Sequence, residues 1–144
     1  WWAFLHLCGA DVFRASRAMK MDEKMCRTLI VYESLFAYAP PRSMLELKSR
    51  LGRLPKFDFN AAAQALSVFA PGWKDAAVLY QKLCESGEPY RISQLAVTAQ
   101  ELTAAGVPAR KMKGVLSQLL SAVQRTPALN TPAALLALAR TLSA

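Results

Sequence analysis

Between Gln100 and Asn130 the chain reads as helix, tight turn, helix, and the signals that punctuate it are all local. Thr98 followed three residues later by Glu101 is a capping box, in which the hydroxyl accepts from one free N–H and the carboxylate reaches back to another. Gly106 is placed to stop that helix in a left-handed conformation, which costs glycine little because it has no Cβ. Pro108 suits the first turn of the next helix, expected over roughly 108–124, because its missing N–H is not needed there. Arg110, Lys111 and Lys113 crowd that turn, against the helix dipole, which disfavours cations at an N-terminus. Free amides, the dipole and three cations together make a phosphate site. The same residues also fit a solvated basic turn.

The rest of the chain carries the same kind of punctuation. Helix-period apolar stripes recur throughout, with no convincing alternating strand. Gly9 ends a first short helix, and Asp11–Lys20 reads as a second. Asp22 caps a third that Pro40-Pro41 breaks, and Ser43-Met-Leu-Glu46 is another capping box, starting a fourth. Asp58 or Asn60 starts a fifth, Trp73–Cys84 forms a sixth, and Thr131-Pro132 caps a last one. Glu88-Pro89 reads as a hinge. The expected fold is all-α, a multi-helix body over residues 1–88 followed by a smaller helical tail over 89–144, with no significant β-sheet.

Charge is uneven along this layout. The chain of 144 residues has a net charge of +8. Before Tyr90, twelve Lys/Arg oppose nine Asp/Glu; from Tyr90 on, six oppose only Glu101. A basic balance favours a polyanionic partner, nucleic acid or an anionic membrane surface. Three groups are candidates for such a track: Arg14/Arg17/Lys20, Lys48/Arg50/Arg53/Lys56 and Arg110/Lys111/Lys113. Each also fits an ordinary solvated face.

Enzyme signatures are missing. There is no P-loop, no Gly-x-Gly-x-x-Gly, no His-Glu-x-x-His and no paired-carboxylate motif for metal ions. Adjacent Asp22 and Glu23 diverge by about 100° on a helix, so capping explains them better than catalysis. Cys8, Cys26 and Cys84 are widely spaced and read as reduced, mostly buried cysteines of a cytosolic protein. His6, the only histidine, is expected to pack within its helix, and Trp73 within the core, with a stacking platform as its other reading. The opening Trp-Trp-Ala-Phe-Leu-His-Leu-Cys run is too short to span a membrane and lacks signal-peptide features. With no initiator Met before it, the chain reads as a piece of a longer protein.

Two stretches carry a family resemblance. Trp2-Ala-Phe-Leu-His-Leu-Cys-Gly resembles a Trp-Ala-x-Leu helix of the bacterial CCA-adding tRNA nucleotidyltransferases, of the poly(A) polymerase family. Ile92-Ser-Gln-Leu-Ala-Val-Thr-Ala-Gln-Glu-Leu, then Gly106-Val-Pro and Gly114-x-Leu-x-x-Leu-Leu, are similar to the C-terminal part of the same enzymes, in the same order. The turn departs from the family pattern at Ala109, Arg110 and Met112, where Gly, Pro and Ile are usual; the added cations would offset the missing Gly.

The resemblance implies a body and tail that follow a catalytic head and a neck of the same parent chain. Head and neck would hold Mg2+ and select CTP and ATP; this chain itself would be non-catalytic and need no cofactor. Its partner would be tRNA, gripped by acceptor-arm and T-arm phosphates so that the 3′ end reaches the head. Expected phosphate contacts are Arg110, Lys111 and Lys113, then Arg91, Arg50 and Arg53, in a cytoplasmic protein. Two other classes stay open: a protein–protein module, with the Leu116–Leu120 and Leu135–Leu138 faces meeting a partner in a homodimer, and a basic membrane-surface domain. The second is disfavoured because its strongest cationic cluster lies in a turn.

Overall fold

A computed structural model describes residues 1–143. Among them the regular structure is nine α-helices and three 3-10 turns with no strand, so the chain is all-α. Several helices begin where short polar side chains meet free amides. Asp11 caps α2 (Val12–Ala18), Asp22 caps α3 (Glu23–Phe36), and Ser43 caps α4 (Met44–Arg53). Asp58, rather than Asn60, caps α5 (Phe59–Ser67). At Ser43 the reciprocal half of the box is shifted: the Glu46 carboxylate accepts from the Arg42 N–H at 2.9 Å.

The chain divides into two compact units, the first of Trp1–Leu47 and Leu54–Leu83, the second of Lys48–Arg53 and the chain from Cys84 onward. The sequence reading divides it between 88 and 89; packing groups Cys84 onward with the second half of α4.

In unit 1, α1 (Trp2–Leu7) packs on α2, α3 and α5, and α3 packs on α5. Trp2 is at its centre, edge-on to Phe36 and Phe69 with ring centroids 5.2 and 5.3 Å away. Its indole N–H donates to the Glu33 carboxylate at 2.7 Å, which satisfies the one polar atom of a buried ring. His6 stacks on Trp2 at 5.0 Å, a packed helix residue as expected. Trp73, at the start of α6 (Gly72–Ser86), is 1% exposed beside Phe59, which excludes the stacking-platform reading. The Tyr32 hydroxyl is held above its ordinary range by burial first and by the Asp58 carboxylate second. Only Cys26 of the three cysteines is buried; Cys8 and Cys84 are exposed, a correction to the mostly buried set. Both lie at positions where a helix turns to solvent.

Unit 2 is built on α8 (Met112–Arg125), against which α9 (Pro132–Ser143) and all three 3-10 turns, at Ile92–Gln94, Ala109–Lys111 and Pro127–Leu129, are packed. Leu102 of α7 (Ala99–Ala104), Leu119 and Val123 of α8, and Leu135 and Ala139 of α9 are fully buried in one core. Leu116, Leu136 and Leu138 pack against it, so the two leucine faces that a protein–protein module would use line this core. The Thr98–Glu101 box forms with both bonds, and Gly106 has φ +94°. Bonds from the Thr98 N–H and hydroxyl hold the exposed Glu101 carboxyl below its usual range. The helix expected from Pro108 starts four residues later. Pro108 is extended, with ψ 142°, and Ala109–Lys111 form a 3-10 turn. No side chain caps α8; instead the Lys111 N–H bonds back to the Pro108 carbonyl and the Met112 N–H to that of Ala109.

Candidate nucleic-acid interface

All six residues expected to contact phosphate belong to unit 2. Transfer of Lys48–Arg53 to that unit sharpens the charge asymmetry: unit 2 has nine Lys/Arg against three Asp/Glu, a net of +6, and unit 1 nine against seven, a net of +2.

Arg110 and Lys111 sit in the 3-10 turn before α8 and Lys113 in its first turn, all three exposed. Their backbones are brought there by Gly106 and Pro108, which reverse the chain after α7. Arg110 and Lys113 make no ion pair or side-chain hydrogen bond among the described residues. Lys111 differs: its ammonium donates to the Ser143 carbonyl at 2.8 Å, at the C-terminus of α9. The cation that opposes the dipole of α8 therefore complements that of α9, and the local cost noted in the sequence is offset inside the protein. Lys111 is nonetheless exposed.

Arg50, Arg53 and Arg91 gather at the other end of α8. Gly52 lies so close to the Tyr90–Arg91 backbone that a Cβ there would stand 2.6 Å from the Tyr90 carbonyl oxygen and 3.3 Å from Gln124 Nε2. Arg50 and Arg53 flank that glycine on α4. Arg91 follows Tyr90, its guanidinium carbon 5.5 Å from the Tyr90 ring centroid, within cation–π range. Gln94 holds the segment: its side-chain oxygen accepts from the Tyr90 and Arg91 amides at 3.0 and 2.9 Å. Asn130 then ties it to the loop before α9, donating to the Gln94 carbonyl and accepting from the Ala96 amide. Met112 and Gln124, which mark the two groups, are twelve residues apart on one helix, or about 18 Å. The structure therefore brings the six together as two triplets at opposite ends of α8, not as one pocket.

Of the triplet Arg50, Arg53 and Arg91, Arg53 is exposed and Arg50 and Arg91 are half-buried, whereas Lys48 is enclosed. It is 3% exposed, its ammonium paired with the Glu88 carboxylate and donating to the Gln124 carbonyl at 3.2 Å. Gln124, 8% exposed, returns the contact: its side-chain amide donates to the Lys48 and Tyr90 carbonyls, each at 3.3 Å. The sequence contained a signal for both. Met44, Leu47, Lys48 and Leu51 form one i, i+3, i+4, i+7 stripe, and Gln124 extends Leu120 and Val123. A lysine on an apolar stripe is a buried lysine with a partner.

The remaining group, Arg14/Arg17/Lys20, belongs to unit 1. Arg14 lies 3.7 Å from the Asp11 carboxylate and Arg17 3.4 Å from that of Glu23, with the Arg17 guanidinium 5.6 Å from the Phe13 ring. Two of these three cations already have counter-charges. Among the described residues no three His, Cys, Asp or Glu side chains are grouped to hold a metal ion, and no helix is long and apolar enough to cross a membrane. No protein-family model, curated protein or solved structure matches the chain.

Proposed function

We propose that the chain is the tRNA-binding C-terminal region of a CCA-adding tRNA nucleotidyltransferase, and that unit 2 is its RNA-contacting part. The observation that carries this reading is the net charge of +6 concentrated in unit 2, with exposed Arg110, Lys111 and Lys113 at one end of α8 and exposed Arg53 beside half-buried Arg50 and Arg91 at the other. Of the motifs similar to the enzyme family, Gly106-Val-Pro and Gly114-x-Leu-x-x-Leu-Leu flank the turn that carries Arg110, Lys111 and Lys113, and Ile92–Leu102 follows Arg91 directly.

The mechanism is placement. Arg and Lys side chains on fixed elements contact phosphates, which sets register and orientation without reading bases. A-form RNA suits such contacts, because its deep, narrow major groove hides the base edges from side chains. Holding the tRNA body fixes where its 3′ end lies, which supplies proximity to chemistry done elsewhere. Mg2+, CTP and ATP would be bound by the head and neck of the parent chain, and the protein would work in the cytoplasm beside its tRNA.

The test is tRNA binding by the purified chain across a KCl series, against random duplex RNA of equal length. Six phosphate contacts give a log–log slope of about −5. Binding that is flat in salt, or equal for both RNAs, refutes the reading.

A second reading, association with another copy of the chain, is favoured by α1. Trp1, Phe4 and Leu7 recur every three residues and are 62%, 57% and 73% exposed. Self-association through that face would be insensitive to salt and lost in Phe4→Ser with Leu7→Ser, as light scattering would show.

A further inference from the structure

Beside the segments that carry Arg53 and Arg91 lies a polar clip, buried at Lys48 and Gln124 and half-buried at Glu88. Its parts are Lys48, Glu88 and Gln124, closed by the glycine approach at Gly52. The Lys48 ammonium joins the Glu88 carboxylate to the Gln124 carbonyl, and the Gln124 amide joins the Lys48 carbonyl to that of Tyr90. Four chain positions, at 48, 88, 90 and 124, are thereby held by directional bonds, and among the described residues no buried side-chain nitrogen or oxygen lacks a partner. Apolar contact alone would not do this, because it is non-directional and tolerates sliding.

Removing an ion pair from water is costly, and an apolar replacement of similar volume is commonly no less stable. The return on burying Lys48 is therefore register rather than stability. The register it fixes is that of the last α4 turn against Tyr90–Arg91, the two places from which Arg53 and Arg91 project. We propose that Lys48, Glu88 and Gln124 are positioning residues for a phosphate-contact patch formed by Arg53 and Arg91, and that Gly52 is required there so that the two backbones approach. This rests on the tRNA-binding reading above and assigns to it residues that never touch the RNA.

Charge-neutral variants test it. Lys48→Met with Glu88→Leu removes one cation and one anion together, so the net charge of +8 is kept while the directional bonds are lost. Gly52→Ala also leaves charge untouched but pushes the Tyr90 carbonyl away. Binding of tRNA by each variant is followed by fluorescence anisotropy across a KCl series, with the thermal midpoint measured alongside. The expected result is a salt slope shallower by about 1.8, two phosphate contacts, in both variants, with the thermal midpoint of the double variant unchanged or raised. Arg53→Ala with Arg91→Ala should give the same slope loss, and adding it to the double variant should give no more. A wild-type slope retained in both charge-neutral variants overturns the proposal while leaving tRNA binding intact. A wild-type chain that does not bind tRNA overturns the functional reading and the positioning role with it.

Discussion

Two glycines in helices of unit 2 should respond to the same substitution with opposite signs. In a helix interior, Gly→Ala ordinarily stabilises by about 1 kcal/mol, because alanine has the better helix propensity and less freedom to lose. Gly114, in the first turn of α8, has nothing within 4 Å of an added Cβ, so Gly114→Ala should follow that rule at about 0.5–1 kcal/mol. Gly52 does not have that room. Its added Cβ would stand 2.6 Å from the Tyr90 carbonyl oxygen, several tenths of an ångström inside van der Waals contact. The obstacle is backbone, held by Gln94 on its amide and Gln124 on its carbonyl, so it cannot rotate away. Overpacking of this kind costs about 1–3 kcal/mol, and weakening the Gln124 bond adds about 1 kcal/mol. After subtracting the propensity gain, Gly52→Ala should destabilise by about 1–3 kcal/mol. The two variants should therefore differ by roughly 3 kcal/mol, which at an m-value of about 2 kcal/mol/M separates their urea midpoints by about 1.5 M. Urea unfolding followed by circular dichroism reads this directly. A Gly52→Ala midpoint at or above wild type would refute the close approach on which the register argument depends.

Three further outcomes follow from particular contacts. Leu119→Ala, fully buried at the centre of unit 2, should cost about 3 kcal/mol in the same urea assay, whereas a loss near zero would mean the core is placed elsewhere. Thr98→Ala should cost about 1 kcal/mol as a lost N-cap. The Glu101 carboxyl is held below its ordinary range by Thr98, so its contribution to stability is complete above the usual carboxylate range and fades as pH falls through the lowered folded value. Acid unfolding of wild type should accordingly converge on that of Thr98→Ala at low pH, and parallel curves would contradict the pairing. Lys113→Ala should reduce the salt slope of tRNA binding by about 0.9 without changing stability. Lys111→Ala should lower both, because Lys111 also caps α9; equal effects of the two variants would count against that capping bond.

What could be read in the sequence is what acts within a few residues. The caps at Asp22, Ser43, Asp58 and Thr98 follow from side chains meeting amides three positions away, and the left-handed Gly106 from the lack of a Cβ. The all-α class and the packed His6 and Trp73 follow from apolar spacing along single helices. The late start of α8 was less legible, since Pro108 fits either a first helical turn or the extended residue before a 3-10 turn. Pairings decided at a distance were not legible at all. Lys48 meets Gln124 across 76 residues, and Lys111 meets Ser143 across 32. A lysine's spacing says which side of its helix it occupies, not what lies opposite. Only packing supplied that, by placing the Glu88 carboxylate and the Gln124 carbonyl against one turn of α4, and the C-terminal carbonyls of α9 beside the turn before α8. Composition made the chain basic; tertiary structure buried Lys48, set Lys111 on the end of α9, half-buried Arg50 and Arg91, and left Arg53, Arg110 and Lys113 exposed.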